Sequence, residues 1–161
     1  MTEIISAKRS GAAENRDDPC TAASKLGASA DAALRRGDLG EASELLSEAL
    51  ELFHRVGDGV QEAETFRRLG ELARLRAELV KAREHFESAL AIARRVGFRV
   101  GEAVALQRLG EVSLAATRLS EASARFEEAL PIFRSVGMLS GEAACIQRLG
   151  EIAFLRSDLD T

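Results

Sequence analysis

LGELARLRAELVKAREHFESALAIARRVG, residues Leu69–Gly97, decides the fold, because most of its apolar positions return forty residues further on. Leu69-Gly70-Glu71 recurs as Leu109-Gly110-Glu111 and as Leu149-Gly150-Glu151. Ala82, Phe86, Ala89, Leu90 and Ile92 recur as Ala122, Phe126, Ala129, Leu130 and Ile132, and Val96-Gly97 recurs as Val136-Gly137. A fixed period of this length marks a stacked array, in which each unit buries its apolar face against its neighbours. Inside the unit the apolar residues fall at helical spacing, in stretches of about 17 residues, or roughly 25 Å of helix at 1.5 Å per residue.

Working outward, the first unit spans residues 21–58, the second 59–98, the third 99–138, and a partial fourth 139–161. Residues 1–20 carry both signs of charge and few large apolar groups, and are expected to be a flexible tail. The first unit is the least regular, with Ser29 and Ala30 where later units have leucine and glycine, as a terminal repeat should be. Gly37 and Gly57 read as left-handed helix stops, Ser120 as an N-cap, and Pro131 as a kink that costs the bond to the carbonyl of Glu127. The fold expected is all-α: antiparallel helix pairs in a right-handed α-solenoid of about three and a half repeats.

Composition narrows the function. The chain has 46% hydrophobic residues, no tryptophan or tyrosine, and a net charge of −4. No apolar run reaches the length of a membrane span, and Ile4-Ile5 is too short for the core of a signal peptide, so the expected location is the cytoplasm, with no membrane partner. Net negative charge, with no basic residues interleaved with aromatics, argues against nucleic acid. Alanine and arginine richness fits a high-GC bacterial genome. Cys145 falls at a small-residue position shared with Thr65 and Ala105 and reads as a buried thiol, while Cys20 is distant in sequence. His54 and His85 fall at positions held by arginine or leucine in other units and read as surface residues. His85-Phe86-Glu87 has no Pro-Cys-x-x-Cys to complete a zinc site, and phosphate loops and nucleophile elbows are absent. The expectation is therefore no enzyme, no metal and no cofactor.

Phe66, Leu69, Gly70, Ala73, Ala82, Phe86 and Ala89, then Leu106, Leu109, Gly110, Ser113, Ala122, Phe126 and Ala129, then Ile146, Leu149, Gly150 and Ala153 resemble the signature of the tetratricopeptide repeat family. The variant resembled is the forty-residue one of kinesin light chain, polarity adaptors and bacterial sensor regions. Where the polarity adaptors read Leu-Gly-Asn this chain reads Leu-Gly-Glu, and the asparagine and lysine of a chaperone-tail carboxylate clamp are missing. The resemblance implies a protein-interaction scaffold whose first helices line a concave groove. Facing that groove would be Glu64, Arg67, Arg68, Glu71 and Arg74, then Val104, Gln107, Arg108, Glu111 and Leu114, then Ala144, Gln147, Arg148, Glu151 and Phe154.

Arg68, Arg108 and Arg148 repeat in file, and so do Glu71, Glu111 and Glu151. Each arginine can pair with a nearby glutamate and merely solvate the face, or the file can grip an acidic or extended peptide through charge-assisted bonds. Two further roles stand beside the groove. One is self-association, giving a homo-oligomer, through an uncovered end at Ile152, Phe154 and Leu155. The other is service as the regulatory or sensor segment of a larger signalling or transcription-regulating protein.

Overall fold

A computed structural model describes residues 18–159. Seven α-helices make up the described residues, with no strand among them: α1 (Pro19–Arg36), α2 (Leu39–Val56), α3 (Gly59–Leu75), α4 (Leu79–Val96), α5 (Arg99–Ala115), α6 (Leu119–Ser135) and α7 (Leu139–Leu159). The expected tail lies outside the described residues as far as position 17. Pro19 and Cys20 instead open α1, where a proline costs no helical bond.

Each helix packs on the next, and α3 also touches α5 as α5 touches α7, so the units pile up in file as a TPR-like solenoid. Six turns separate the helices, and all six close the same way. The backbone N–H of residues 38, 58, 78, 98, 118 and 138 donates to the carbonyl five residues back, as in Asp38 to Ala33 at 3.0 Å and Glu78 to Ala73 at 2.9 Å. Such a closure requires a left-handed residue just before the donor. Glycine fills that place at 37, 57, 97 and 137, but Ala77 (φ 58°) and Thr117 (φ 57°) are held there without it.

The turn also moves the cap. Ser120 lies inside α6, behind Arg118 and Leu119, so its hydroxyl caps nothing; it accepts from Arg156 at 3.5 Å. Asp38 and Asp58 cap instead, accepting from the N–H groups of Glu41 and Gln61 at 3.0 and 3.1 Å. α6 runs unbroken through Pro131, which lies on the exposed side where water can replace the lost donor.

The core repeats with the chain. Leu46, Phe86 and Phe126, forty residues apart, are all 0% exposed. A Cβ on Gly70 would sit 2.6 Å from the Phe86 ring, and one on Gly110 2.8 Å from the Phe126 ring. Glycine there, with Ala82, Ala89, Ala122 and Ala129 facing it, lets two helices close onto one phenylalanine per unit.

Candidate functional site

From α3 onward the odd-numbered helices lie closer together than the even ones: α3 meets α5 and α5 meets α7, while α2, α4 and α6 do not meet each other. A stacked array bent this way is concave along α3, α5 and α7, the helices on which the expected groove residues lie.

Those residues are largely engaged with one another. Arg67 donates from Nε to both carboxylate oxygens of Glu64, at 3.1 and 3.0 Å, and that bond raises its pKa above the usual arginine value. Arg68 reaches back one unit to Asp31 and to the carbonyl of Gly27 at 3.0 Å. Arg108 does the equivalent, with Nε 2.6 Å from Glu71 Oε1, and also holds Glu111 at 2.8 Å. The buried Arg108 and Glu71 atoms attract as an ion pair, although their angle does not make a hydrogen bond. Arg74 joins Glu71 at 2.9 Å, and Gln107 donates to Glu111 at 3.1 Å.

Two cross-unit rungs are thus closed, Arg68 to Asp31 and Arg108 to Glu71. The third, Arg148 to Glu111, is open. Arg148 holds its own helix's Glu151 at 2.8 Å, with 41% of its side chain exposed. Between Arg148 and Glu111 lies a cavity of about 430 Å³, lined also by Arg74, Leu79, Val112 and Leu114. Its apolar floor between two half-exposed guanidiniums can accept an apolar side chain whose neighbour is acidic. Gln147, Glu151 and Phe154 stand exposed on α7 beside it.

The expected self-association end changes in membership. Ile152 is 1% exposed, packed into the core with Cys145 and Phe126, and is not part of any free surface. Phe154 and Leu155 are exposed at 66% and 39%, and Ile146 at 49%. Cys145 is buried, which pushes its thiol pKa up to about 11, helped by the nearby Glu111 carboxylate. His54 is exposed, but His85 is half-buried against Phe66, with ring centroids 6.1 Å apart, and that burial lowers its pKa.

A second periodic set went unnoticed in the sequence. Glu62, Glu102 and Glu142 near the start of α3, α5 and α7 receive His54 at 2.9 Å, Arg94 at 3.1 Å and Arg134 at 2.8 Å. The recurring acid eight residues after His54, Arg94 and Arg134 was the available signal. These ties join α2 to α3, α4 to α5 and α6 to α7. No group of three or more histidine, cysteine or acidic side chains among the described residues is placed to hold a metal ion. None of the described helices is long and apolar enough to cross a membrane.

Helix pairs stacked in file, with a side-chain-lined inner face, define an α-solenoid. The tetratricopeptide repeat family matches the chain over residues 21–95 and again over 61–135, and the chain belongs to that family. No curated protein matches it. Among solved structures it is similar to aspartyl phosphate phosphatase F from Bacillus subtilis, with 12% identity, a TM-score of 0.81, and 89% of this chain against 38% of that one. It is also similar to the N-terminal domain of stress-induced protein-1 from C. elegans (17%, 0.69, 85% of this chain and 98% of that one). A third is a signal transduction ATPase with a tetratricopeptide repeat sensor from Pyrococcus horikoshii (18%, 0.76, 88% and 22%). At these identities the likeness is one of fold, and this chain spans well under half the length of the first and third.

Proposed function

We propose that the chain is a non-catalytic scaffold that holds a partner protein segment in its concave groove, seated at the cavity between α3, α5 and α7. One observation carries this reading: the arginine–acid rung that closes the groove at the two earlier units stands open at Arg148 and Glu111, over an apolar floor. An acidic group of the partner takes the role at Arg148 and Arg74 that Asp31 and Glu71 take in the earlier rungs, through charge-assisted bonds in a partly shielded site. Arg68 and Arg108 then act chiefly by holding the groove in shape, and Leu114 and Phe154 give apolar contact.

Selection from a displayed peptide library tests it. Recovered peptides should share an apolar residue flanked by aspartate or glutamate, and should lose at least about tenfold in affinity for Arg74→Ala/Arg148→Ala. Arg68→Ala should cost less affinity but more stability. A consensus without acidic residues, or undiminished binding by the double variant, refutes the reading.

A second reading has support from the similar structures. The phosphatase and the ATPase each contain a region of this fold as a minor part of a longer chain, and in the ATPase that region is called a sensor. On this reading the groove acts as the ligand-sensing segment of a regulator.

A further inference from the structure

A second cavity, of about 270 Å³, opens beside Glu64 and Arg68 at the other end of the groove residues. It is bounded by α1, α2 and α3, with the buried Ala23, Ala49 and Phe53 beneath and the polar Ser24, Asp31, Glu64 and Thr65 around it. Its origin is in the sequence. α1 carries Gly27 and Ala28 at the places where α3 carries Arg67 and Arg68 and α5 carries Gln107 and Arg108. The backbone of α1 does not approach α3 as α3 approaches α5, so nothing closes the gap that the two missing side chains leave. Arg68 alone bridges one edge of it, to Asp31 and to the carbonyl of Gly27.

The polar groups around this cavity say what fits it. The Asp31 side chain is 52% exposed against 21% for its partner Arg68, and Glu64 is 39% exposed against 25% for its partner Arg67. In both pairs the carboxylate stands further out than the guanidinium that holds it, so this end of the groove presents oxygen. The Ser24 hydroxyl donates to the carbonyl of Cys20 at 2.9 Å and the Thr65 hydroxyl to that of Gln61 at 2.7 Å, which commits both protons and leaves lone pairs as acceptors. Toward α5 and α7 the order reverses: Arg74 is more exposed than Glu71, and Arg108 more than Glu111. The groove therefore runs from an acid-faced cavity to an arginine-faced one.

We propose that the partner segment in the groove places a lysine in the α1–α3 cavity, its methylene stem over Phe53, Ala23 and Ala49 and its ammonium among Asp31, Glu64 and the two hydroxyls. This rests on the groove reading above and adds the other half of the partner's chemistry. A segment with an acid-flanked apolar residue at one end and a lysine at the other binds in one direction only. Two helix steps of about 8–10 Å separate the cavities, with an offset of roughly 12 Å along the helices, so an extended segment spans the distance in about seven residues.

A library of random displayed peptides long enough to span both cavities, selected on the wild type and separately on Arg74→Ala/Arg148→Ala, tests it. Peptides recovered on the wild type should carry a lysine about six to eight residues from their acidic group, and the lysine alone should persist on the double variant. Replacing that lysine by alanine should weaken binding at least about tenfold on the wild type, but no more than about twofold on Ala28→Gln, which returns a long side chain to the gap. Circular dichroism should show Ala28→Gln folded. Glu64→Gln keeps the volume of the cavity wall and should likewise remove most of the lysine's contribution, so it carries the same test if Ala28→Gln disturbs the helix. Recovered peptides without lysine, an equal loss on the wild type and both variants, or a library that yields no binder overturns the proposal. An acidic consensus without lysine removes this inference and leaves the groove reading standing, whereas a lysine consensus indifferent to Arg74→Ala/Arg148→Ala does the opposite.

Discussion

Gly110 and Gly150 occupy the same place in successive units, and alanine there should act with opposite sign. At Gly110 the added methyl carbon would lie 2.8 Å from two ring atoms of Phe126. That ring is 0% exposed and has nowhere to retreat, so overpacking costs about 1–3 kcal/mol. Replacing a mid-helix glycine returns about 1 kcal/mol of helix propensity, which leaves Gly110→Ala destabilising by up to ~2 kcal/mol. At Gly150 nothing lies within 4 Å, so only the gain of about 1 kcal/mol remains. The two variants should differ by roughly 1–3 kcal/mol, at about 2–4 °C of melting temperature per kcal/mol for a chain of this size. Thermal and urea unfolding followed by far-ultraviolet circular dichroism, in dilute solution where association is negligible, measures the difference. Because a repeat array can open in pieces, amide exchange in α5 and α7 should show the same ordering locally. Equal destabilisation by the two substitutions would refute the claim that the Gly150 face of α7 is open where the Gly110 face of α5 is packed.

The turn at Thr117 offers a gain from the same physics: a β-branched residue held at φ 57° pays for a conformation glycine adopts freely, so Thr117→Gly should stabilise the fold by about 1 kcal/mol, read as a shift in urea midpoint. An unchanged or lower midpoint would mean that the Thr117 side chain contributes more than its backbone costs. Cys145 gives the chain a pH dependence in the alkaline range. Its folded pKa of about 11 lies above the ordinary thiol value of 9.0, so the folded state keeps a proton that the unfolded state gives up. Stability should therefore fall as pH rises from about 9 to 11, and Cys145→Ala should remove that part of the fall. The buried thiol should also resist alkylation until urea opens the chain.

What could be read from the sequence, and what could not, divides by the distance over which each feature is decided. The Leu-Gly-Glu triplets and the phenylalanines at 86 and 126 were legible because the contact between a glycine and its phenylalanine is made inside one unit and then repeated. The turns at Ala77 and Thr117 were less so: the backbone closure is set by the forty-residue period, and it overrides the local preference for glycine and for Ser120 as a cap. Ile152 and Ile146 look alike in composition and differ only in which neighbour stands beside each face. Their repeat counterparts Val112 and Leu106 are both buried, so the sequence pattern alone does not separate the buried Ile152 from the exposed Ile146.

The arginine file shows the same limit most sharply. Spacing alone allowed each arginine a partner three residues on, and Arg108 and Arg148 do hold Glu111 and Glu151. The rungs to Asp31 and Glu71, however, lie 37 residues back and depend on how far one unit is displaced over the last. That displacement is a property of packing, so no reading of one helix could reveal that Arg68 and Arg108 are tied to the preceding unit while Arg148 is not. The asymmetry matters for function. Arg68 and Arg108 are 21% and 30% exposed and tied to an acid of the preceding unit, whereas Arg148 and Arg74, paired only within their own helices, are more than two-fifths exposed at the rim of an apolar cavity. Near-identical side chains in file therefore do not occupy equivalent surroundings, and the proposed binding site falls at the unit where the cross-unit ladder is left open.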